Sequence, residues 1–143
     1  MILLVGLPGS GKSTWLAGRG LKAISSDNLR ELLLDDARDQ SANARVFALV
    51  RHVLRERLKL NRDMTYIDAT NLTRKERRQY VEIARSFNAT IEALVFDTPL
   101  EECKRRNRLR ERVVPEDAMD RLAAKYQAPS MDEGFAAIEK GSQ

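Results

Sequence analysis

The sequence predicts an α/β fold in three layers: a central, mainly parallel sheet of about five strands, flanked by helices and topped by a helical lid. It reads as one domain over residues 1–143. Three observations point there. Short apolar runs alternate with longer amphipathic segments along the whole chain. Helix-start signatures fall between those runs. The opening run Met1-Ile2-Leu3-Leu4-Val5 passes directly into the glycine-rich "VGLPGSGKSTW", residues 5–15, as when a buried strand turns sharply into a helix.

Each element has its own warrant. Residues 1–5 form the first strand, and a helix follows to about Ala17, ended by Gly18 and Gly20. Leu21–Ser25 is a short second strand, and Asp27 to about Asp35 a helical turn or short helix. A longer helix covers about Ser41–Leu60, with Val46, Val50, Val53, Leu54 and Leu58 on one face. Met64–Ala69 is the third strand. Thr73 and Glu76 form a capping box for the next helix. Residues 90–96, "TIEALVF", are the fourth strand; Thr98 is then expected to cap a helix with Pro99 first and Glu101 third. Pro115 starts another helix, with Glu116 and Asp117 in its first turn, and "GFAAIEK", 134–140, forms a last short strand.

Composition excludes several classes. Hydrophobic residues make up 43% and charged residues 32%, a soluble balance with no apolar run of membrane-spanning length. MILLV is too short for a signal-peptide core. One cysteine, Cys103, rules out an intramolecular disulfide and fits a reducing cytoplasm. One histidine, His52, argues against zinc. The net charge of +4 suits a polyanionic partner without requiring one.

The strongest signal is Gly6, four residues, then Gly11-Lys12-Ser13, the phosphate-binding loop spacing. Gly6, Gly9 and Gly11 let successive N–H groups point inward around an anion, Ser10 among them, and the following helix adds its positive end. Lys12 reaches the β- and γ-phosphates of a nucleoside triphosphate, Ser13 offers a hydroxyl to Mg²⁺, and Thr14 adds one near the α-phosphate. In an open α/β sheet the second substrate lies beyond the carboxyl ends of the strands. Two polar clusters belong there. In "SSDNLR" Asp27 and Arg30 share a face: Asp27 suits a base for a hydroxyl and Arg30 suits a neighbouring anion, although the pair also has the make-up of a surface salt bridge. In "YIDATNL" Asp68 suits the metal waters or the loop serine, or else a turn-forming role.

The basic run "KRRNRLRER", 104–112, opens a lid of about 104–127. At helical spacing Arg105 meets Glu101, Arg106 meets Glu102, Arg108 meets Glu111 and Arg112 meets Glu116. Arg110 meets no acid and faces Arg106, a repulsion that a polyphosphate relieves; Arg110, with Arg106 second, is the candidate cation over the donor phosphates. Trp15 is expected to pack under the sheet, and Cys103 lacks the marks of a nucleophile.

With "PGSGKSTW", "SSDNLR", "DATNLTRKERR" and "RNRLRERVVP" on the page, the chain resembles the 5′-hydroxyl polynucleotide kinase domain of phage and bacterial end-healing enzymes, a P-loop kinase, from Ile2 to about Phe135. That resemblance implies ATP and Mg²⁺ at Lys12 and Ser13, Asp27 as general base for the 5′-hydroxyl of DNA or RNA, and Arg30 on the acceptor's 3′-phosphate. It implies Arg110 as the lid arginine, with Arg106 nearby, and a substrate-side role for Gln40. It also implies a role in nucleic-acid repair. A 3′-phosphatase has no room before Gln143 and no Asp-x-Asp-x-Thr pattern, so phosphatase and ligase activities are expected from other proteins. No membrane is involved, and a homo-oligomer is left open. Two other functions remain: a small-metabolite kinase acting on a hydroxylated acid or sugar, and a nucleotide-binding regulator that transfers nothing.

Overall fold

A computed structural model describes residues 1–62 and 64–142; Asp63 and Gln143, within the expected domain span, lie outside the described residues. Five strands, β1 (Ile2–Val5), β2 (Ala23–Ser25), β3 (Tyr66–Asp68), β4 (Glu92–Val95) and β5 (Ala137–Lys140), form one sheet in the order β2-β3-β1-β4-β5. Every pairing is parallel, as in Leu3 opposite Ile67 and Ala93. The expected last strand is present as β5.

Six α-helices complete the layers among the described residues: α1 (Lys12–Gly18), α2 (Ser26–Leu34), α3 (Asn43–Lys59), α4 (Arg74–Ser86), α5 (Leu100–Arg108) and α6 (Glu116–Lys125). Strand alternation divides the core. Leu3 and Val5 face one cluster with Val50 and Leu54 of α3 and Tyr80, Val81 and Ala84 of α4. Leu4 faces the other, with Leu16 of α1, Tyr66, Leu94 and Phe96. Trp15 packs there as expected, 6.1 Å from the Phe96 ring and 6.2 Å from the Tyr66 ring, with the Arg19 guanidinium 4.3 Å from its centroid.

Strand order positions the site. From β1 the chain crosses β3 to reach β2, whereas from β3 it crosses β1 to reach β4. Connections leaving the neighbouring strands β1 and β3 therefore diverge, and a crevice opens beyond their carboxyl ends. The glycine-rich loop and Asp68 meet there.

The helix boundaries show which local signals dominate. Thr73 caps α4, and Glu76 completes the capping box. Asp35 closes α2 in the left-handed region, at φ 61. Two expectations need correction. The N-cap of α5 is Pro99, with no side-chain cap; the Thr98 hydroxyl donates instead to the Ser10 carbonyl at 2.8 Å, because the phosphate loop packs against this turn. The basic run also does not stay helical. α5 ends at Arg108, so partners reckoned at helical spacing beyond it change.

Candidate functional site

The loop after β1 is moulded by its neighbours. A Cβ on Gly6 would lie 2.6 Å from Ser10 Oγ and 2.8 Å from the Phe96 carbonyl oxygen. Gly9 has φ +79, and a Cβ there would stand 2.6 Å from the Cys103 carbonyl oxygen in α5. Both positions demand glycine, and Gly9 demands its backbone freedom as well. Gly11 starts α1 at φ 105. The Gly6 amide donates to the Thr70 carbonyl at 3.0 Å, which ties the loop to the turn after β3.

Lys12 is buried, and its ammonium folds back on the loop. Nζ donates to the carbonyl oxygens of Gly6 at 2.7 Å and Leu7 at 3.0 Å. Burial lowers its pKa to about 8, with the Asp68 charge the largest of the opposing effects. Nζ also donates to Ser10 Oγ at 3.4 Å, and a buried cation held by these neutral oxygens stabilises an anion arriving beside it.

Ser13 Oγ donates to Asp68 Oδ2 at 3.0 Å, joining the start of α1 to the end of β3. Burial pushes the Asp68 carboxyl up, while the Lys12 charge and the Ser13 bond pull it down. These two hard oxygens suit Mg²⁺, which retains waters and takes phosphate oxygens. One hydroxyl and one carboxylate are too few donors to cage an ion and fit one that also takes phosphate oxygens and waters. Thr14 is exposed on the first turn of α1.

Across the crevice Asp27 and Arg30 do pair. Arg30 Nη1 donates to Asp27 Oδ1 at 2.8 Å, but the partners are unequal: the arginine side chain is 5% exposed and the aspartate 56%. A surface salt bridge would leave both in water. Arg30 also donates to Asn43 Oδ1 from Nε at 3.3 Å and Nη2 at 3.0 Å, and Asn43 Nδ2 donates to Gln40 Oε1 at 2.7 Å. The negative charge of Asp27 is felt at both Lys12 and Asp68, so the two clusters form one electrostatic site.

The lid departs from its expected pairings. Arg106 does reach Glu102, at 3.0 Å. Arg105 takes Glu102, not Glu101; Arg108 takes Glu116, not Glu111; and Arg112 takes Glu31 of α2, not Glu116. Arg110 lies two residues past the end of α5, so the like-charge contact with Arg106 at helical spacing does not exist. Its other attributes stand. The Arg110 side chain has no hydrogen bond or ion pair among the described residues, and its positive charge acts on Lys12 and Asp68.

Several residues that build the site were missed by sequence reasoning. Asn107, fully buried, donates to the Val114 carbonyl at 2.7 Å and accepts from its amide at 2.9 Å. This clasp closes the bend that carries Arg110. Asn71, at φ 50, donates to the Leu4 carbonyl at 2.7 Å and binds the turn after β3 to β1. Arg77, fully buried, pairs with Glu133 at 2.9 Å and donates to the Asn71 and Leu72 carbonyls. An asparagine in a motif was the available signal for the first two. Arg77 sits in "RKERR" and gives none. His52 is exposed. Cys103 is buried under the loop, and burial raises its thiol pKa, which keeps it a poor nucleophile.

The chain is similar to several known proteins. The bifunctional polynucleotide phosphatase/kinase of Schizosaccharomyces pombe (strain 972) is 26% identical over 149 residues, covering 98% of this chain and 33% of the relative. The chain thus spans about a third of that protein. The structure of a Pnkp1/Rnl/Hen1 RNA repair complex matches with 27% identity and a TM-score of 0.74, over 87% of this chain and 42% of the matched one. The Mycobacterium tuberculosis APS kinase CysC, solved with AMPPNP and APS, matches at 21% identity and a TM-score of 0.59, over 99% of this chain and 88% of its own; it shows the fold alone. No helix among the described residues is long and apolar enough to cross a membrane. A family model described as an AAA domain matches residues 1–129, and the chain belongs to that family, AAA_33, as a kinase-type P-loop enzyme.

Proposed function

We propose that this protein transfers the γ-phosphoryl group of ATP to the 5′-hydroxyl end of a DNA or RNA strand. The observation that carries the reading is the exposed Asp27 carboxylate, held by a buried arginine and close enough to the loop to act on Lys12 and Asp68. Binding a nucleotide needs no carboxylate there; accepting a hydroxyl proton does. The similarity to the polynucleotide phosphatase/kinase supports a nucleic-acid end as the alcohol. On this reading the protein serves nucleic-acid repair in the cytoplasm.

The residues divide the work. The loop amides and Lys12 hold the donor phosphates, and Arg110, with Arg106 beside it, covers them from the lid. Ser13 and Asp68 would hold Mg²⁺, which when bound would supply neutralising charge for the donor phosphates. Arg30 holds the acceptor's 3′-phosphate, with Gln40 beside it. Asp27 takes the proton as the 5′-oxygen bonds to the γ-phosphorus, and the bond from that phosphorus to the bridging oxygen breaks to release ADP. Most of the acceleration comes from positioning and charge.

The test is incubation with labelled ATP, Mg²⁺ and 5′-hydroxyl DNA and RNA oligonucleotides, with a nucleoside 3′-monophosphate and a plain nucleoside as short acceptors. Oligonucleotides and the 3′-monophosphate should be labelled and the plain nucleoside should be poor. Arg30→Ala should raise the oligonucleotide KM about tenfold to a hundredfold, far more than that for ATP, and should narrow the gap between the short acceptors. Labelling only of a hydroxylated acid or sugar would replace this reading with a metabolite kinase. No transfer to any alcohol would leave a nucleotide-binding regulator.

A further inference from the structure

We infer that Asn43 is a positioning residue of the acceptor site: it sets the orientation of Arg30 on one side and of Gln40 on the other. The inference rests on the kinase reading above. Asparagine favours the cap of a helix, where its side chain satisfies free N–H groups. Here it stands one place later, as the first residue of α3, and that helix starts at Ala42 without a side-chain cap. The side chain of Asn43 is spent on Arg30 and Gln40 instead.

Hydrogen-bond polarity then propagates through three residues. A guanidinium only donates, so Asn43 must turn its oxygen to Arg30 and accept from Nε at 3.3 Å and Nη2 at 3.0 Å. Its nitrogen is left to donate to Gln40 Oε1 at 2.7 Å. Gln40, exposed, therefore presents its own amide nitrogen outward as a donor. Arg30 has two N–H groups to spare, one on each terminal nitrogen, after the bonds to Asn43 and Asp27. The cluster as a whole offers donors, which suits an anionic acceptor. Without Asn43, the remaining side-chain partner of Arg30 is Asp27. The guanidinium would then settle on the carboxylate that has to receive the hydroxyl proton.

Asn43→Leu, Asn43→Asp and Gln40→Ala separate the parts, assayed in the full chain with ATP and a 5′-hydroxyl oligonucleotide. Asn43→Leu keeps the size and removes both roles; it should raise the acceptor KM of the folded enzyme about tenfold to a hundredfold with ATP affinity unchanged. Asn43→Asp still accepts from Arg30 and should recover most of that loss. Gln40→Ala should raise the acceptor KM less, and adding it to Asn43→Leu should cost nothing more. A wild-type acceptor KM in Asn43→Leu, or no recovery in Asn43→Asp, would overturn the assignment. If Asn43→Leu fails to fold, Gln40→Ala decides, since an unchanged acceptor KM there removes the relay. If the wild type ignores nucleic-acid ends but labels a small anionic alcohol, the polynucleotide reading fails. The same variants on that alcohol then decide Asn43.

Discussion

The donor and acceptor halves of the site are built in opposite ways. The donor half is one contiguous segment, Gly6–Thr14, whose cation Lys12 is buried against its own carbonyls. The proposed acceptor half joins two helices through side chains, Asp27 and Arg30 from α2 and Asn43 from α3, and its carboxylate, the proposed base, stays open to water. A backbone nest tolerates almost no change of residue, as the short Cβ approaches at Gly6 and Gly9 show. A side-chain lattice can be retuned one member at a time. On one fold the loop can thus stay the same while the side chains facing it change; the APS kinase CysC shares that fold at 21% identity.

The largest expected effect falls on the proposed lid. Arg110→Ala should lower turnover on the order of 10³- to 10⁵-fold, the range for arginines acting on a transferring phosphoryl group. Arg108→Ala should matter far less, because that side chain is committed to Glu116. Equal losses, read as kcat at saturating substrates, would reduce the run to diffuse positive charge.

Next comes the acceptor carboxylate. Asp27→Asn preserves shape and should lower kcat by about 10²- to 10⁴-fold, the usual span for a lost general base. ATP affinity and Tm should hold, since Asp27 is exposed. A fall in Tm with turnover per folded molecule intact would make the residue a structural partner of Arg30 alone.

Lys12 tests the donor half through its burial. Lys12→Met should cost about 10²- to 10³-fold in transfer. It also removes a desolvated charge whose pKa lies near 8 against an ordinary 10.5. Between those values the unfolded chain holds a proton that the folded one has released, so folded stability attributable to Lys12 rises with pH across that window. Below it both forms are charged and the burial cost, roughly 3 kcal/mol, is present in full. Denaturant melts of wild type and Lys12→Met should therefore stop running parallel from pH 8 upward, the wild type gaining on the variant as the burial cost is relieved. Parallel curves would show that Lys12 is not desolvated.

The two halves were unequally legible in the sequence. Glycine spacing, strand alternation and the Thr73 capping box are local, and each appears in the structure where it was expected. The Asp27–Arg30 pair was legible too, because three residues on a helix share a face. Long-range partners were hidden. Nothing near Thr98 announces that its hydroxyl holds a carbonyl 88 residues away in the chain. The charge pairs of 104–112 were misassigned because a helical period was carried past Arg108, where the Asn107 clasp to Val114 bends the chain instead. Arg77 reads as one more surface cation, yet it is fully buried beneath the turn after β3.

The smallest expected effect lies where lid and acceptor helix touch. Arg112, in the bend after α5, meets Glu31 of α2 at 2.5 Å, with the two side chains 40% and 52% exposed. Exposed pairs of this kind contribute about 0.2–1 kcal/mol, so Arg112→Ala should scarcely move the Tm. The contact nevertheless joins the segment that carries Arg110 to the helix that carries Asp27. Arg112→Ala should therefore raise the acceptor KM a few-fold, in keeping with about 1 kcal/mol or less. Raised salt should erase the difference between variant and wild type, because exposed charges are screened at high ionic strength. Exchanging the charges, Glu31→Arg with Arg112→Glu, should restore the wild-type KM, which a double-mutant cycle reads directly. A zero coupling energy in that cycle would mean that the lid and the acceptor helix move independently, and that the two halves of the site meet only through their substrates.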